Sequence, residues 1–238
     1  MTILRSSLFF IWFVLVSVVL HLAALPALLM PRGVALWAGK IWCDLLIWGL
    51  RVFAGLRMEL RGQIPDGGVL IASKHMSMWD TLVLYRCVNP PVFVLKRELL
   101  NIPFYGWFIR KTGMIAIDRS GRASALRKMA AAAQRTIASG HPVIIFPEGT
   151  RKKPGAQPDY KPGVAGLYGQ LKTECVPVAL NSGLYWTGFI KRKGKAVVEF
   201  LPAIPPGLPR REFMVLLQER IETATARLIA EGRAGRAH

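Results

Sequence analysis

The sequence predicts an α/β protein, with a mostly parallel central sheet flanked by helices, that is preceded by an N-terminal pair of membrane helices. After Arg61, short runs rich in β-branched residues alternate with helical runs, which is typical of parallel sheets. Apolar residues make up 52% of the 238 residues, enough to build a full core. The first thirty residues contain a single charged side chain, that of Arg5. Together these observations predict a membrane-anchored α/β domain.

Six apolar runs are the candidate strands, at 69–73, 91–95, 114–117, 143–146, 176–180 and 196–201. Helices are expected in the gaps. The clearest is an alanine-rich run, 122–139, that stops at Gly140, and others are predicted at 161–172 and at about 211–230. We expect membrane-anchoring helices over residues 1–60 and one α/β domain over residues 61–238.

The apolar run from Leu8 to Met30 is a candidate membrane helix. It has 23 residues, which suffices to cross a hydrocarbon core at about 1.5 Å per residue. His21 and Pro26 interrupt it. A cleaved signal peptide, with Arg5 in its basic region, is the alternative, although the sequence that follows is a poor cleavage site.

A second apolar segment, from Val34 to Gly55, carries Lys40, Asp44 and Arg51. On a helix these three side chains fall within about 40° of one another and form a narrow polar stripe. Such a helix suits the bilayer interface, or a hairpin packed on the first segment, better than an independent span. An ordinary amphipathic helix docked on the α/β domain is the alternative.

The net charge of +18, from 32 basic against 14 acidic residues, implies an anionic partner. Nucleic acid, an acidic membrane and phosphorylated metabolites all satisfy this, and the apolar start favours a membrane over nucleic acid. Cys43, Cys87 and Cys175 are odd in number and lack metal-ligand spacing, so they are expected to be reduced core residues. Reduced cysteines, and basic residues placed after the apolar segments, favour placement of the α/β domain on the cytoplasmic face.

The run His-Met-Ser-Met-Trp-Asp at 75–80 carries the clearest chemical signal. A carboxylate in reach of an imidazole holds it in one tautomer, so His75 can act as a general base with Asp80 as its partner. The sequence has no Gly-x-Ser-x-Gly and no cysteine near His75. The pair therefore resembles two thirds of a hydrolase triad whose hydroxyl belongs to the substrate, which suggests acyl transfer to an alcohol.

Three further clusters follow predicted strands, where open α/β sheets bind ligands. They are the Gly-Met-Ile-Ala-Ile-Asp-Arg run at 113–119, the Phe-Pro-Glu-Gly-Thr-Arg run at 146–151 and the Val-Pro-Val-Ala-Leu-Asn run at 176–181. With the His-x4-Asp motif, and in this order, they resemble the motifs of the glycerolipid acyltransferase family. The resemblance covers roughly residues 65–185. It implies the glycerol-3-phosphate acyltransferase-like α/β fold.

The resemblance implies a role for each matching residue. His75 is expected to deprotonate the free hydroxyl of 1-acylglycerol-3-phosphate, and Asp80 to orient the imidazole. Arg119 and Arg151 are expected to hold the acceptor phosphate, because a guanidinium matches phosphate oxygens bidentately, although each is also able to form a surface ion pair. The other implied binding residues are Glu148, which is alternatively a structural turn residue, Gly149, Thr150, Lys96, which is alternatively a solvated lysine, and Pro177, which alternatively shapes a strand end.

The family also implies the partners. The acyl donor is expected to be acyl-CoA or an acyl carrier protein, the acceptor lysophosphatidic acid, the product phosphatidic acid, and the site the inner membrane, with no cofactor, metal or nucleic acid. Two alternatives stay open: another lysolipid acceptor such as a lyso-aminolipid, and a non-catalytic anionic-lipid-binding module. Lys74 departs from the family, which often has Asn before the histidine, and is expected to raise the local positive potential. A cluster of aromatic and basic residues at 186–195 is expected to rest on anionic headgroups, to stack on single-stranded nucleic acid, or to be merely solvated.

Overall fold

The computed structural model describes residues 1–118 and 122–235. The strands in this part of the chain are β1 Leu56–Arg61, β2 Leu70–Ser73, β3 Val92–Lys96, β4 Ile115–Ile117, β5 Val143–Ile145, β6 Cys175–Leu180, β7 Trp186–Thr187, β8 Ile190–Lys191 and β9 Gly194–Phe200. The helices are α1 Thr2–Ala23, α2 Arg32–Gly49, α3 Met78–Cys87, α4 Tyr105–Lys111, α5 Arg122–Ala138, α6 Gly163–Leu171 and α7 Arg210–Ala234.

The described strands form a main sheet in the order β1-β9-β6-β2-β5-β3-β4, and β7 and β8 form a separate hairpin. β2 pairs in parallel with both β5 and β6, and β3 pairs in parallel with β5 and β4. β1 and β9 are parallel to each other, while β9 runs antiparallel to β6. The predicted mostly parallel α/β fold is confirmed, and the six predicted strands are present within two residues of their expected ends.

The sequence does not predict β1, because arginine and glutamate side chains interrupt its apolar pattern. β1 pairs with β9 along its whole length, from Leu56 to Arg61. The boundary expected after residue 60 therefore falls inside a strand of the main sheet, and residues 56–60 belong to the α/β body.

Helices cover both faces of the sheet. On one face, buried side chains of α3, such as Trp79 and Val83, share a core cluster with Phe9 of α1. On the other face, α5, α6 and α7 pack together. In α7 the buried residues Phe213, Leu217 and Ile221 recur every four positions, which is the apolar stripe of an amphipathic helix. The three cysteines are free, and Cys87 is half-buried while the other two are buried.

The N-terminal segments form two helices, α1 and α2, that are long and apolar enough to cross a membrane. α1 ends at Ala23, earlier than the apolar run, because the ring of Pro26 does not fit a continuing helix. A short 3₁₀ turn, Leu25–Leu28, then leads to α2. After α2, one π-helical turn and Gly55, with φ of 68°, connect directly to β1.

Asp44, one residue of the predicted polar stripe, connects α2 to the α/β domain. Asp44 forms an ion pair with Arg86 of α3, and α2 packs against both α1 and α3. α2 therefore combines two of the expected arrangements, since it is half of a hairpin with α1 and is also docked on the α/β domain.

The β7–β8 hairpin packs on the first turns of α1. Lys191 is only 6% exposed, and its Nζ donates hydrogen bonds to the carbonyl oxygens of Gly188 and Phe189 at 2.9 and 2.8 Å. The ammonium also lies 4.4 Å from the ring centroid of Trp186. Burial lowers the pKa of Lys191 to about 8. This lysine therefore faces inward, whereas its neighbours Arg192 and Lys193 are exposed.

Candidate active site

His75 and Asp80 meet at the carboxyl end of β2, where the chain turns into α3. Ser77 is the N-cap of α3: its Oγ accepts a hydrogen bond from the Trp79 backbone N–H at 3.2 Å, while its own N–H donates to Asp80 Oδ2 at 2.8 Å. The same Asp80 oxygen lies 3.0 Å from His75 Nδ1. One carboxylate thus caps the helix and holds the imidazole, so the helix start fixes the geometry of the pair.

Asp80 is fully buried, and its two oxygens have different partners. Oδ2 accepts from the backbone N–H of Met76 at 2.6 Å, in addition to Ser77 and His75. Oδ1 accepts from the hydroxyls of Ser77, at 3.3 Å, and of Ser182. An ionised carboxylate only accepts hydrogen bonds, so His75 Nδ1 carries the proton and Nε2 carries the lone pair. Ser182 was not predicted, although a polar residue two positions after the end of β6 is a usable signal.

The imidazole of His75 is held in place by an aromatic ring. Its side chain is 12% exposed, and the ring stacks on Phe146 with centroids 3.9 Å apart and planes 16° apart. Phe146 in turn stacks on Phe93, at 6.1 Å. The ring therefore has one covered face, one edge tied to Asp80, and its Nε2 edge on the opposite side.

The loop after β5 lies beside His75. The backbone N–H of Lys152 donates to the carbonyl oxygen of His75 at 2.9 Å. Gly149 has φ of 63°, which favours glycine, and its N–H closes a tight turn on the Phe146 carbonyl at 2.9 Å. Thr150 and Arg151 are exposed at the tip of this turn. The two motifs that the sequence places 70 residues apart therefore meet at one edge of the sheet.

Glu148, in the same loop, is only 1% exposed, and its Oε1 accepts a hydrogen bond from Lys74 Nζ at 3.0 Å. Lys74 Nζ also donates to Glu222 Oε1 of α7 at 2.7 Å, and Tyr160 donates to the same oxygen at 2.8 Å. Lys74 was expected to raise the local positive potential. Its charge is instead offset, because two carboxylates pair with its ammonium. We name Lys74, Glu148, Tyr160 and Glu222 the charge cluster.

Arg151 lies within electrostatic range of Tyr105, at the start of α4. Burial raises the pKa of Tyr105, and the positive charge of Arg151 partly opposes this. The Tyr105 ring lies 6.4 Å from the ring of His21, near the end of α1. Tyr105 therefore borders the N-terminal helices.

Comparison with known proteins agrees with this geometry. A family model described as Acyltransferase matches residues 56–181, which include the His75 turn and the loop after β5. The chain belongs to the acyltransferase family. The matched range begins with β1 and ends just after β6, so α7 and the N-terminal helices lie outside it.

Individual relatives support the same family. The chain is 37% identical, over 194 residues, to a 1-acyl-sn-glycerol-3-phosphate acyltransferase of Pseudomonas aeruginosa, covering 80% of this chain and 76% of that one. It is 30% identical, over 174 residues, to the human 1-acyl-sn-glycerol-3-phosphate acyltransferase alpha, covering 68% and 59%. The crystal structure of the 1-acyl-sn-glycerophosphate (LPA) acyltransferase PlsC of Thermotoga maritima matches with a TM-score of 0.77 at 19% identity, covering 96% and 99%.

The remaining predicted site residues of this acyltransferase lie further from His75 or outside the description. Lys96 is exposed at the end of β3, two strands away from β2. Pro177 is buried inside β6, opposite Ala72 of β2, so it contributes to the interior of the sheet rather than to a strand end. Arg119 lies outside the described residues. It follows β4, whose carboxyl end is at the same edge of the sheet as His75.

Proposed function

We propose that this acyltransferase moves a fatty acyl group from an acyl thioester to the free sn-2 hydroxyl of 1-acylglycerol-3-phosphate, giving phosphatidic acid. The observation that carries the proposal is the His75–Asp80 pair, with Nε2 available as a base, beside a turn that exposes Arg151. The names of the relatives support the choice of acceptor.

The reaction follows from the position of the proton on His75. Nε2 takes the proton of the sn-2 hydroxyl as that oxygen attacks the thioester carbonyl carbon. The positive imidazolium is stabilised by the buried carboxylate of Asp80. The tetrahedral intermediate then collapses with cleavage of the C–S bond, and the thiol leaves with the proton from Nε2. His75 is neutral again, and no covalent enzyme intermediate is needed because the thioester is already activated.

Acceptor and donor are both anionic, and the charge of +18 suits both. We assign the acceptor phosphate to Arg151 and, from the sequence motif, to Arg119. The donor is acyl-CoA or an acyl carrier protein, and exposed Lys96 is a candidate contact for its phosphate groups. Glu148 is buried against Lys74, so we assign it a role in shaping the turn rather than a direct contact with glycerol.

An acyl-transfer assay tests the proposal. Membranes that contain the full chain are supplied with a labelled acyl thioester and a panel of lysolipids that includes lysophosphatidic acid, lysophosphatidylethanolamine and a lyso-aminolipid. We expect labelled phosphatidic acid from lysophosphatidic acid alone. Transfer only to another acceptor would replace the proposed substrate, and no transfer to any acceptor would contradict the proposed activity.

Replacing Arg151 with lysine is expected to raise the KM for lysophosphatidic acid by about tenfold while kcat changes little. Lysine keeps the charge but loses the bidentate fork that matches two phosphate oxygens, worth about 1.5–3 kcal/mol for a charged hydrogen bond. Steady-state kinetics with varied acceptor measure the effect. Arg192→Lys, at an exposed arginine of the β8–β9 connection, is the matched control, and an equal change in both variants would argue against a phosphate contact.

Contacts at both ends of α1 and at the start of α2 favour a hairpin that lies along the catalytic domain in one leaflet. In its first turns, α1 contacts the β7–β8 hairpin through Ser6, whose Oγ accepts a hydrogen bond from the Lys191 N–H at 2.9 Å. Near the end of α1, the ring centroid of His21 lies 5.6 Å from that of Phe108. Arg32, at the start of α2, donates to the Thr112 carbonyl at 3.0 Å. A helix that crosses the bilayer alone would carry one end about 30 Å from this domain. We therefore propose in-plane anchoring on the cytoplasmic face of the inner membrane.

Thiol labelling tests this placement at Leu29, which is 93% exposed in the turn between the helices. We expect Leu29→Cys to show no reaction with a membrane-impermeant maleimide applied from the periplasmic side, and to react in detergent. Arg210→Cys, at the start of α7, marks the side of the catalytic domain, and the unsubstituted chain gives the background of its three native cysteines. Periplasmic labelling of Leu29→Cys would mean that the helices span.

A further inference from the structure

The charge cluster joins parts of the chain that are far apart in sequence. Lys74 lies between β2 and His75, and Glu148 lies in the turn just before Thr150 and Arg151. Glu222 lies on α7, which is outside the range matched by the family model. Tyr160 belongs to the segment between β5 and α6. A single ammonium, 2% exposed, bridges the two carboxylates at 3.0 and 2.7 Å. The C-terminal helix is therefore tied to both loops of the active site.

Because the ion pairs of Lys74 with Glu148 and Glu222 are largely buried, they favour one arrangement of the three side chains. A buried ammonium is tolerated only when acceptors satisfy its N–H groups, and removal of one carboxylate leaves an N–H group without its acceptor. The Lys74 backbone is itself fixed, because its N–H donates to the carbonyl oxygen of Val178 on β6 at 2.9 Å. Glu148 therefore docks on a group that does not move with the loop. Among the described residues, Glu148 Oε2 has no hydrogen-bond partner, so Lys74 is the only described hydrogen-bond partner of the Glu148 side chain.

Glu222 and Tyr160 hold the bridging ammonium from the other side. Burial and the carboxylate of Glu222 raise the pKa of Tyr160, so the phenol stays protonated and donates its hydrogen bond. Glu222 accepts from both Tyr160 and Lys74 through the same oxygen, Oε1. Loss of Glu222 would free the ammonium to shift, and Glu148 would shift with it.

We propose that Lys74, Tyr160 and Glu222 are positioning residues that hold Glu148, and with it the Gly149–Arg151 turn, against the strand that carries His75, so that helix α7 sets the affinity for the acceptor. The inference rests on the proposed function, since it assigns Arg151 to the acceptor phosphate. It extends the functional unit beyond the family motifs to the C-terminal helix.

This role has a kinetic signature. Phosphate binding by the turn contributes equally to the ground state and the transition state, so a misplaced turn raises the KM for the acceptor. The Asp80 carboxylate is held by a different set of hydrogen bonds, from Met76, Ser77 and Ser182, so kcat is expected to change less than the acceptor KM. The KM for the thioester donor is likewise expected to stay within about twofold, because the donor does not bind through Arg151.

Three variants of the full chain test the inference. Glu222→Ala is expected to raise the KM for lysophosphatidic acid about tenfold, the scale of one lost hydrogen bond to a charged group, and Tyr160→Phe about threefold. Glu222→Gln keeps an oxygen that accepts from both partners, so it is expected to restore much of the affinity. Glu219→Ala, at an exposed position of the same helix, is the matched control and is expected to behave as wild type.

Hydrogen exchange gives a readout that needs no turnover. The bond from Lys152 N–H to the His75 carbonyl, at 2.9 Å, reports on docking of the loop. We expect a peptide that spans residues 146–152 to exchange faster in Glu222→Ala than in Glu219→Ala, with no change in peptides of β2 and β6.

The outcomes separate the inference from the proposed function. If the wild-type chain does not acylate lysophosphatidic acid, the proposed function fails, and the exchange experiment still tests loop positioning. If the wild type is active and Glu222→Ala matches Glu219→Ala in both KM and exchange, the inference is wrong. A fall in thermal stability or in kcat with an unchanged acceptor KM would also overturn it, because that pattern marks a purely structural role.

Discussion

Replacing His75 with alanine is expected to lower kcat by about 10²- to 10⁴-fold, the usual contribution of a general base. The reason is local: Nε2 is the lone-pair nitrogen of an imidazole whose other nitrogen is tied to Asp80 at 3.0 Å. The KM for lysophosphatidic acid is expected to change by less than about threefold, since the phosphate is bound by arginines. Initial rates with saturating acceptor and donor, on matched amounts of membrane-bound enzyme, measure the effect.

Controls must separate lost chemistry from lost structure, because the His75 ring also stacks on Phe146 at 3.9 Å. Thermal unfolding of the His75→Ala variant measures the structural part, because truncation of a ring that is only 12% exposed leaves a cavity beside Phe146 while the Asp80 cap of α3 stays intact. His141→Ala, at a half-buried histidine before β5, is the matched substitution outside the site. Full activity in His75→Ala would remove the proposed mechanism.

Much of the fold is predictable because each buried strand of a parallel sheet shows a recognisable pattern within a short stretch of sequence. A buried strand is a short apolar run bounded by turn residues, and this pattern identifies β2, β5 and β6 to within one residue. The location of the candidate site follows from the same pattern, because ligand-binding side chains usually follow the carboxyl ends of such strands. Asp80 is a special case, since a Ser-x-x-Asp capping pattern and the His-x4-Asp motif share one carboxylate.

Contacts between residues that are far apart in the sequence were not predicted. Lys74 and Glu222 are 148 residues apart, and Ser182 and Asp80 are 102 apart, so only the tertiary fold brings each pair together. A partial signal exists for Glu222, because it directly follows Ile221 of the buried stripe of α7 and a carboxylate beside such a stripe needs a partner. β1 was missed because half of its residues are charged, and its place at the sheet edge tolerates them.

The two N-terminal helices also show what a local sequence pattern leaves undecided. Length and hydropathy indicate that α1 and α2 are able to cross a bilayer, but they do not distinguish a spanning helix from one that lies along a domain. The in-plane placement that we propose rests on side chains that a hydropathy scan ignores, such as Ser6, Arg32 and Asp44, each of which contacts the α/β domain.

Asp80→Asn is expected to lower kcat by about 10²- to 10³-fold, the range seen when a transition-state charge loses one stabilising partner. The amide is isosteric with the carboxylate. The amide oxygen is able to take the place of Oδ2, which accepts from the backbone N–H groups of Met76 at 2.6 Å and Ser77 at 2.8 Å. The amide NH₂ group then takes the place of Oδ1 and faces the hydroxyls of Ser77 and Ser182. The imidazole keeps its tautomer, and what is lost is the negative charge that stabilises the imidazolium. Initial rates at saturating substrates measure the effect.

Two further substitutions decide whether charge or hydrogen bonding dominates. Ser182→Ala removes one hydroxyl donor to Asp80 but keeps the charge, so its loss of kcat is expected to stay below about tenfold. Asp80→Ala leaves the buried N–H groups of Met76 and Ser77 without an acceptor, at about 1–3 kcal/mol each, so it is expected to lower the free energy of unfolding as well as the rate. If Asp80→Asn retained most of its activity while Asp80→Ala lost it, the carboxylate would serve to hold the ring rather than to stabilise its charge.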